Sequence, residues 1–81
     1  MLVKLYGKEN CSLCMDAKII LDLLQSVYPL EIDEIDIYQD EALLEKYHLI
    51  IPVVEMDNEI IDSGIVSYEK LDNYLKNKKS V

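Results

Sequence analysis

Cys11 and Cys14 stand three positions apart and are the only thiols in a chain of 81 residues. If they open a helix, one turn separates them and a bridge between them is within reach. The first sulfur then faces unpaired backbone N–H groups and the positive end of the helix dipole. Both favour a thiolate over a thiol. Lys8, three residues earlier, adds a nearby positive charge in the same sense. The chemistry this allows is thiol–disulfide exchange. Cys11 attacks a partner disulfide, Cys14 displaces the reduced partner and closes an intramolecular ring, and a second reductant reopens it. Ser12 and Leu13, between the sulfurs, tune that exchange, and an exposed Leu13 offers a protein partner an apolar contact.

Other uses of the pair stay open. Two cysteines at this spacing can be small buried hydrophobes. A zinc site needs about four ligands, and the chain has one His. An iron–sulfur cluster would have to be shared between two chains through Cys11. The alternative to an electron carrier is therefore a binding or redox-sensing module that holds metal or a cluster through its cysteines.

The elements around the pair decide between these readings. Leu2-Val3-Lys4-Leu5-Tyr6 reads as a strand closed by Gly7. Cys14, Ala17, Leu21, Leu24 and Tyr28 recur at helical spacing and give one buried stripe that Pro29 ends. Glu31 to Ile37 reads as a second strand, and its alternation slips between Asp33 and Glu34, as a bulge or an edge position would explain. Asp40 caps a short second helix with Leu43, Leu44 and Tyr47 on its apolar side. Leu49 to Met56 is a third strand and Glu59 to Asp62 a fourth, joined through Asp57-Asn58 as an antiparallel hairpin. Ser67 caps a last helix in which Tyr68, Leu71 and Leu75 face inward, and Ser80 and Val81 fray. The expected order, βαβ-α-ββ-α over residues 1–81, is one α/β domain with a mixed four-stranded sheet covered by helices on both faces.

Pro52 sits at the start of a strand, where it removes a ladder donor. A cis Ile51–Pro52 bond would account for it. The backbone of Ile51 would then be free to pair with an extended substrate. His48 ends the second helix as a capping or surface residue. The tyrosines Tyr6, Tyr38, Tyr47, Tyr68 and Tyr74 read as core or half-buried packing. Glu31, Asp33, Glu34 and Asp36 read as solvated acids with no base to work with.

Composition limits the partners. Hydrophobic residues make up 51% of the chain and charged ones 30%, which is the balance of a folded domain. A net charge of -8 repels phosphate backbones and anionic membrane surfaces, so neither nucleic acid nor membrane is expected. No apolar run approaches the roughly 18 residues of a membrane span. Met1-Leu2-Val3-Lys4 leads straight into a strand, so the expected compartment is the cytoplasm, where two cysteines point to redox or metal use and not to a structural framework; a monomer is expected.

Tyr6, Lys8, Cys11, Cys14, Ile51-Pro52 and Ser63-Gly64, in this order and spacing, resemble the glutaredoxin family along essentially the whole chain. The resemblance implies a thioredoxin-like fold with Cys11 as the nucleophile and Pro52 in cis facing the disulfide. By the same resemblance Lys8 lies near the thiolate and glutathione, Ile51 pairs through its backbone with the cysteinyl part of glutathione, and Ser63-Gly64 stand in the substrate-binding turn. The family's Pro-aromatic pair between the cysteines is here Ser12-Leu13. Its threonine before the cis-proline is Ile50, and its double glycine with a following aspartate is Ser63-Gly64-Ile65-Val66. The last segment is more similar to glutaredoxin-like electron donors that draw on thioredoxin reductase, and to short glutaredoxin-like proteins. The resemblance implies no bound cofactor, glutathione as the candidate co-substrate, and disulfide-containing proteins as partners. The reductant would be glutathione or a thioredoxin-reductase-like flavoprotein.

Overall fold

The computed structural model describes residues 1–79, so the expectation for Ser80 and Val81 lies outside the described residues. Leu2–Gly7 forms β1, Ser12–Gln25 α1 and Glu31–Asp36 β2. A 3₁₀ turn follows at Ile37–Gln39, then α2 at Glu41–Tyr47, β3 at Val53–Met56, β4 at Glu59–Ser63 and α3 at Tyr68–Lys79. The sheet order is β2-β1-β3-β4, with β1 and β2 parallel and the other neighbours antiparallel. The fold is thus the mixed four-stranded α/β sheet that the sequence pattern implies.

Alternation along β1 sends Val3 and Leu5 to one face and Tyr6 to the other. On the first face Val3 and Leu5 meet Ala17, Leu21 and Leu24 of α1, and Leu71 and Leu75 of α3. Each of these leucines is 0–4% exposed, and burying one is worth about 1.5–3 kcal/mol. On the second face Tyr6 and Val53 pack with Ile37 and with Tyr47 of α2. Helices therefore cover both faces.

The slip in β2 follows from this layering. The strand runs in unbroken register with β1, from Leu2↔Glu31 to Gly7↔Asp36. Ile32 packs into the α1/α3 core and Ile35 into the α2 core, so apolar residues of odd spacing serve opposite faces. The edge position, not a bulge, accounts for the pattern. The irregularity lies instead in the hairpin, between Val54 and Glu55.

Four expectations need correction. The third strand starts at Val53, not Leu49, because the amides of Ile50 and Ile51 both turn back to the carbonyl of Tyr47. Ile37 leaves β2 for the 3₁₀ turn, where Asp36 accepts the N–H of Tyr38. Tyr38 is left 61% exposed there. Tyr68 is also exposed, and Val66, just before α3, fills that end of the core instead.

Candidate active site

One row of the sheet aligns Tyr6, Val53 and Ser63. At that end lie the exit of β1, the entry of β3 and the exit of β4, so the segments beginning at Gly7, ending at Pro52 and following Ser63 converge. Topology alone gathers sequence positions some fifty residues apart.

Asn10 turns the chain into α1 from the left-handed region, at φ 55°, a conformation asparagine tolerates better than most residues. Cys11 then takes the N-cap place in extended geometry, and its Sγ accepts the N–H of Cys14 at 3.2 Å. Its carbonyl accepts the first helical bond, from Met15, at 3.0 Å. Cys11 and Cys14 are disulfide-bonded with Cα atoms 5.2 Å apart, within the range for such bridges. Cys11 is partly exposed, whereas Cys14 is buried against Gly7. Ser12 and Leu13, in the first turn of α1, are exposed between them. Lys8 is exposed in the loop that leads into the pair and lines a groove together with Cys14.

The Ile51–Pro52 peptide is cis and Pro52 is fully buried. Gly64, at φ 71°, gives its N–H to the carbonyls of Pro52 at 2.9 Å and Ile50 at 3.2 Å. A residue with a side chain would be strained at that φ, so glycine is required by the turn. The proline segment and the Ser63-Gly64 turn are in this way joined. The backbone of Ile51 is not wholly free, as its N–H is bonded to the carbonyl of Tyr47 at 3.1 Å.

Two residues that organise this end escape a reading by motif. Asp62 is 9% exposed. Its carboxylate accepts the N–H of Ser63 at 2.9 Å and of Ser67 at 2.8 Å, and it faces Lys70 at 3.5 Å. Ser67 in turn caps α3 by accepting the N–H of Lys70. Glu55 accepts the hydroxyls of Tyr6 at 3.4 Å and Tyr47 at 3.3 Å, and the two rings pack at a 40° tilt with centroids 4.7 Å apart. Burial, then Glu55 and Tyr47, push the Tyr6 hydroxyl up to about 12. This clamp seats the end of α2 and thereby the carbonyl that holds Ile51.

His48 caps α2, with Nδ1 2.9 Å from the carbonyl of Leu44. Among the described residues no group of three or more His, Cys, Asp or Glu side chains is placed to hold a metal ion. Nor is any described helix long and apolar enough to cross a membrane.

A sheet of this topology with a Cys-X-X-Cys pair at the start of its first helix defines a thioredoxin-fold protein of thiol–disulfide chemistry. Within that class the chain belongs to the glutaredoxin-like domain family, whose profile matches residues 2–76. No curated protein matches it in sequence. Among solved structures it is similar to reduced Escherichia coli glutaredoxin, at TM-score 0.66 and 19% identity over 100% of both chains. It is also similar to a mutant thioredoxin from Halobacterium salinarum, at TM-score 0.67 and 17% identity, over 94% of this chain and 72% of that one. Thioredoxin 1 from Thermosipho africanus gives TM-score 0.63 and 14% identity, over 98% of this chain and 99% of that one. Likenesses at these identities speak for the fold.

Proposed function

We propose that the chain is a dithiol–disulfide oxidoreductase acting on disulfide-containing proteins in the cytoplasm. The observation that carries this reading is Cys11 as the helix N-cap, partly exposed, with its Sγ receiving the Cys14 amide. That N–H and the helix dipole lower the cost of charge on sulfur once the bridge is open. In the reduced protein the Cys11 thiolate attacks a partner disulfide, forming a mixed disulfide and releasing one partner thiolate. The Cys14 thiol, losing its proton to solvent, then attacks Cys11 Sγ, and the second partner sulfur leaves. Two electrons pass to the partner and the Cys11–Cys14 bridge remains. A reductant, either a flavoprotein reductase or two glutathione molecules, restores the dithiol.

In this reading the proline segment and the Ser63-Gly64 turn supply substrate-binding surface, together with Lys8, Ser12 and Leu13 around the pair. The occupied N–H of Ile51 supports a flavoprotein over glutathione, because an extended tripeptide would have to break the bond to Tyr47. Substituting Cys14 by Ser tests both points. The variant retains Cys11 and should accumulate a mixed disulfide with its partner, which mass spectrometry of the trapped adduct identifies. Capture of glutathione alone would assign glutathione as reductant, and no adduct at Cys11 would overturn the mechanism.

A further inference from the structure

A groove of about 530 Å³ runs between α1 and the edge strand β2. Its floor is Leu5, Gly7 and Cys14, its α1 wall is Met15 and Ile19, and Glu34 of β2 stands opposite. The lining includes Lys8 and Cys14 but neither Cys11 nor Pro52 nor Gly64, so the groove adjoins the redox pair yet is separate from the proline segment and the Ser63-Gly64 turn. The wall continues along α1 and into the turn after it as an uncovered apolar stripe, Met15, Ile19, Leu23 and Val27, each at least 55% exposed and four residues from the next. Such a stripe at helical spacing on a surface helix is unusual unless something covers it.

Charge selects the occupant. β2 carries Glu31, Asp33, Glu34 and Asp36 and no basic residue, and Glu9 and Asp36 also line the groove. Of the two lysines there, Lys18 is committed to Asp22 at 2.7 Å. The outer edge of β2 presents unpaired backbone groups to any extended chain. A second copy pairing through the same edge would set acid against acid along the strand. We propose that the β2 edge and the groove under α1 dock an extended segment of a partner protein in which apolar side chains alternate with lysine or arginine. The segment adds a strand to β2, its apolar side chains fill the groove against Met15 and Ile19, and its cations, on the other face of the strand, meet Glu31 and Asp33.

The test uses the oxidised full chain, labelled with ¹⁵N, and a cysteine-free synthetic heptapeptide alternating lysine with valine and leucine. A peptide of equal charge with serine at the apolar positions controls for diffuse attraction to the acidic protein. The expected result is that amide shifts are concentrated in β2 and at Met15 and Ile19, with the serine peptide binding about tenfold more weakly or worse. Ile19→Glu should weaken the first peptide although it adds an acid. Asp33→Lys should weaken it through charge. Both positions are exposed, and unchanged amide peaks in α3 report that each variant is folded. Equal binding by the serine peptide, shifts centred on Pro52 and Gly64, or no loss in Ile19→Glu would overturn the proposal. So would sedimentation of the free protein as a dimer joined at β2, which would assign the edge to a second copy.

Discussion

Gly7 lies so close to Cys14 that a Cβ placed on it would stand 3.0 Å from the cysteine Sγ and 3.2 Å from its Cβ. The last residue of β1 thus sets how near the sheet the inner sulfur sits. In the bridged form Cys14 is tethered and cannot swing away, whereas in the dithiol its side chain is free to rotate. A methyl at position 7 therefore burdens the oxidised state more than the reduced one. Gly7→Ala should make the protein more oxidising. A contact of this kind costs on the order of 1–2 kcal/mol, or about 20–40 mV for a two-electron couple. Equilibration against a glutathione redox buffer measures it, and an unchanged or more negative potential would contradict the assignment.

Asn10 offers a second handle, since its left-handed backbone aims the chain so that Cys11 caps α1. For an ordinary L-residue that conformation costs roughly 1–2 kcal/mol, and more for a β-branched one. Asn10→Val should lower stability by at least this amount in urea unfolding, while Asn10→Gly should leave it nearly unchanged. If the valine variant is as stable as the parent, the turn is not held as described.

Features set by neighbours in sequence were legible from it. The stripe from Cys14 to Tyr28, the Asp40 cap, the Asp57-Asn58 turn and the Ser67 cap all depend on residues within a few positions of one another. In that turn both residues stand at positive φ, which Asp and Asn tolerate. The cis Ile51–Pro52 bond was readable as well, from a proline at the entry of a strand. What sequence could not give depended on distant partners. Tyr28 reaches across to Asp72 at 2.6 Å. Ile51 loses its amide to Tyr47, which is itself seated by Glu55 on another strand. Tyr38 and Tyr68 were expected against apolar surface and instead meet solvent, since the 3₁₀ turn and Val66 close those parts of the core. The groove is a relation between α1 and β2 that no single segment records.

Asp62 holds the turn after β4 with one carboxylate serving two amides. Asp62→Ala would leave the N–H groups of Ser63 and Ser67 without their acceptor at a nearly buried position. Hydrogen bonds to a charged group are worth about 1.5–3 kcal/mol, so a loss on that order is expected in denaturant unfolding. Amide exchange at Ser67 should accelerate as well. Asp62→Asn, which keeps one acceptor oxygen, should cost less. A variant with parental stability and slow exchange at Ser67 would remove Asp62 from this role.

The tyrosines give the fold an alkaline limit. The Tyr6 hydroxyl ordinarily titrates near 10 and is raised to about 12, mainly by burial and then by the carboxylate of Glu55 and the Tyr47 ring. The folded protein therefore binds this proton more tightly than the unfolded chain does. Its contribution is fully present below pH 10 and is lost as pH rises from 10 through about 12. A tenfold change in proton affinity corresponds to about 1.4 kcal/mol, so the loss across that window is on the order of 2–3 kcal/mol. Tyr6→Phe has no such proton to lose and should show a shallower fall in urea stability between pH 9 and 12. The slope that remains belongs to groups raised elsewhere. These include Tyr28, pushed to about 12 by its hydrogen bond to Asp72 and by burial, and Lys78, raised by its bond to Asp57. Should the parent and Tyr6→Phe fall in parallel, the hydroxyl is not held by Glu55, and the clamp that seats Tyr47 beneath Ile51 loses one of its two arms.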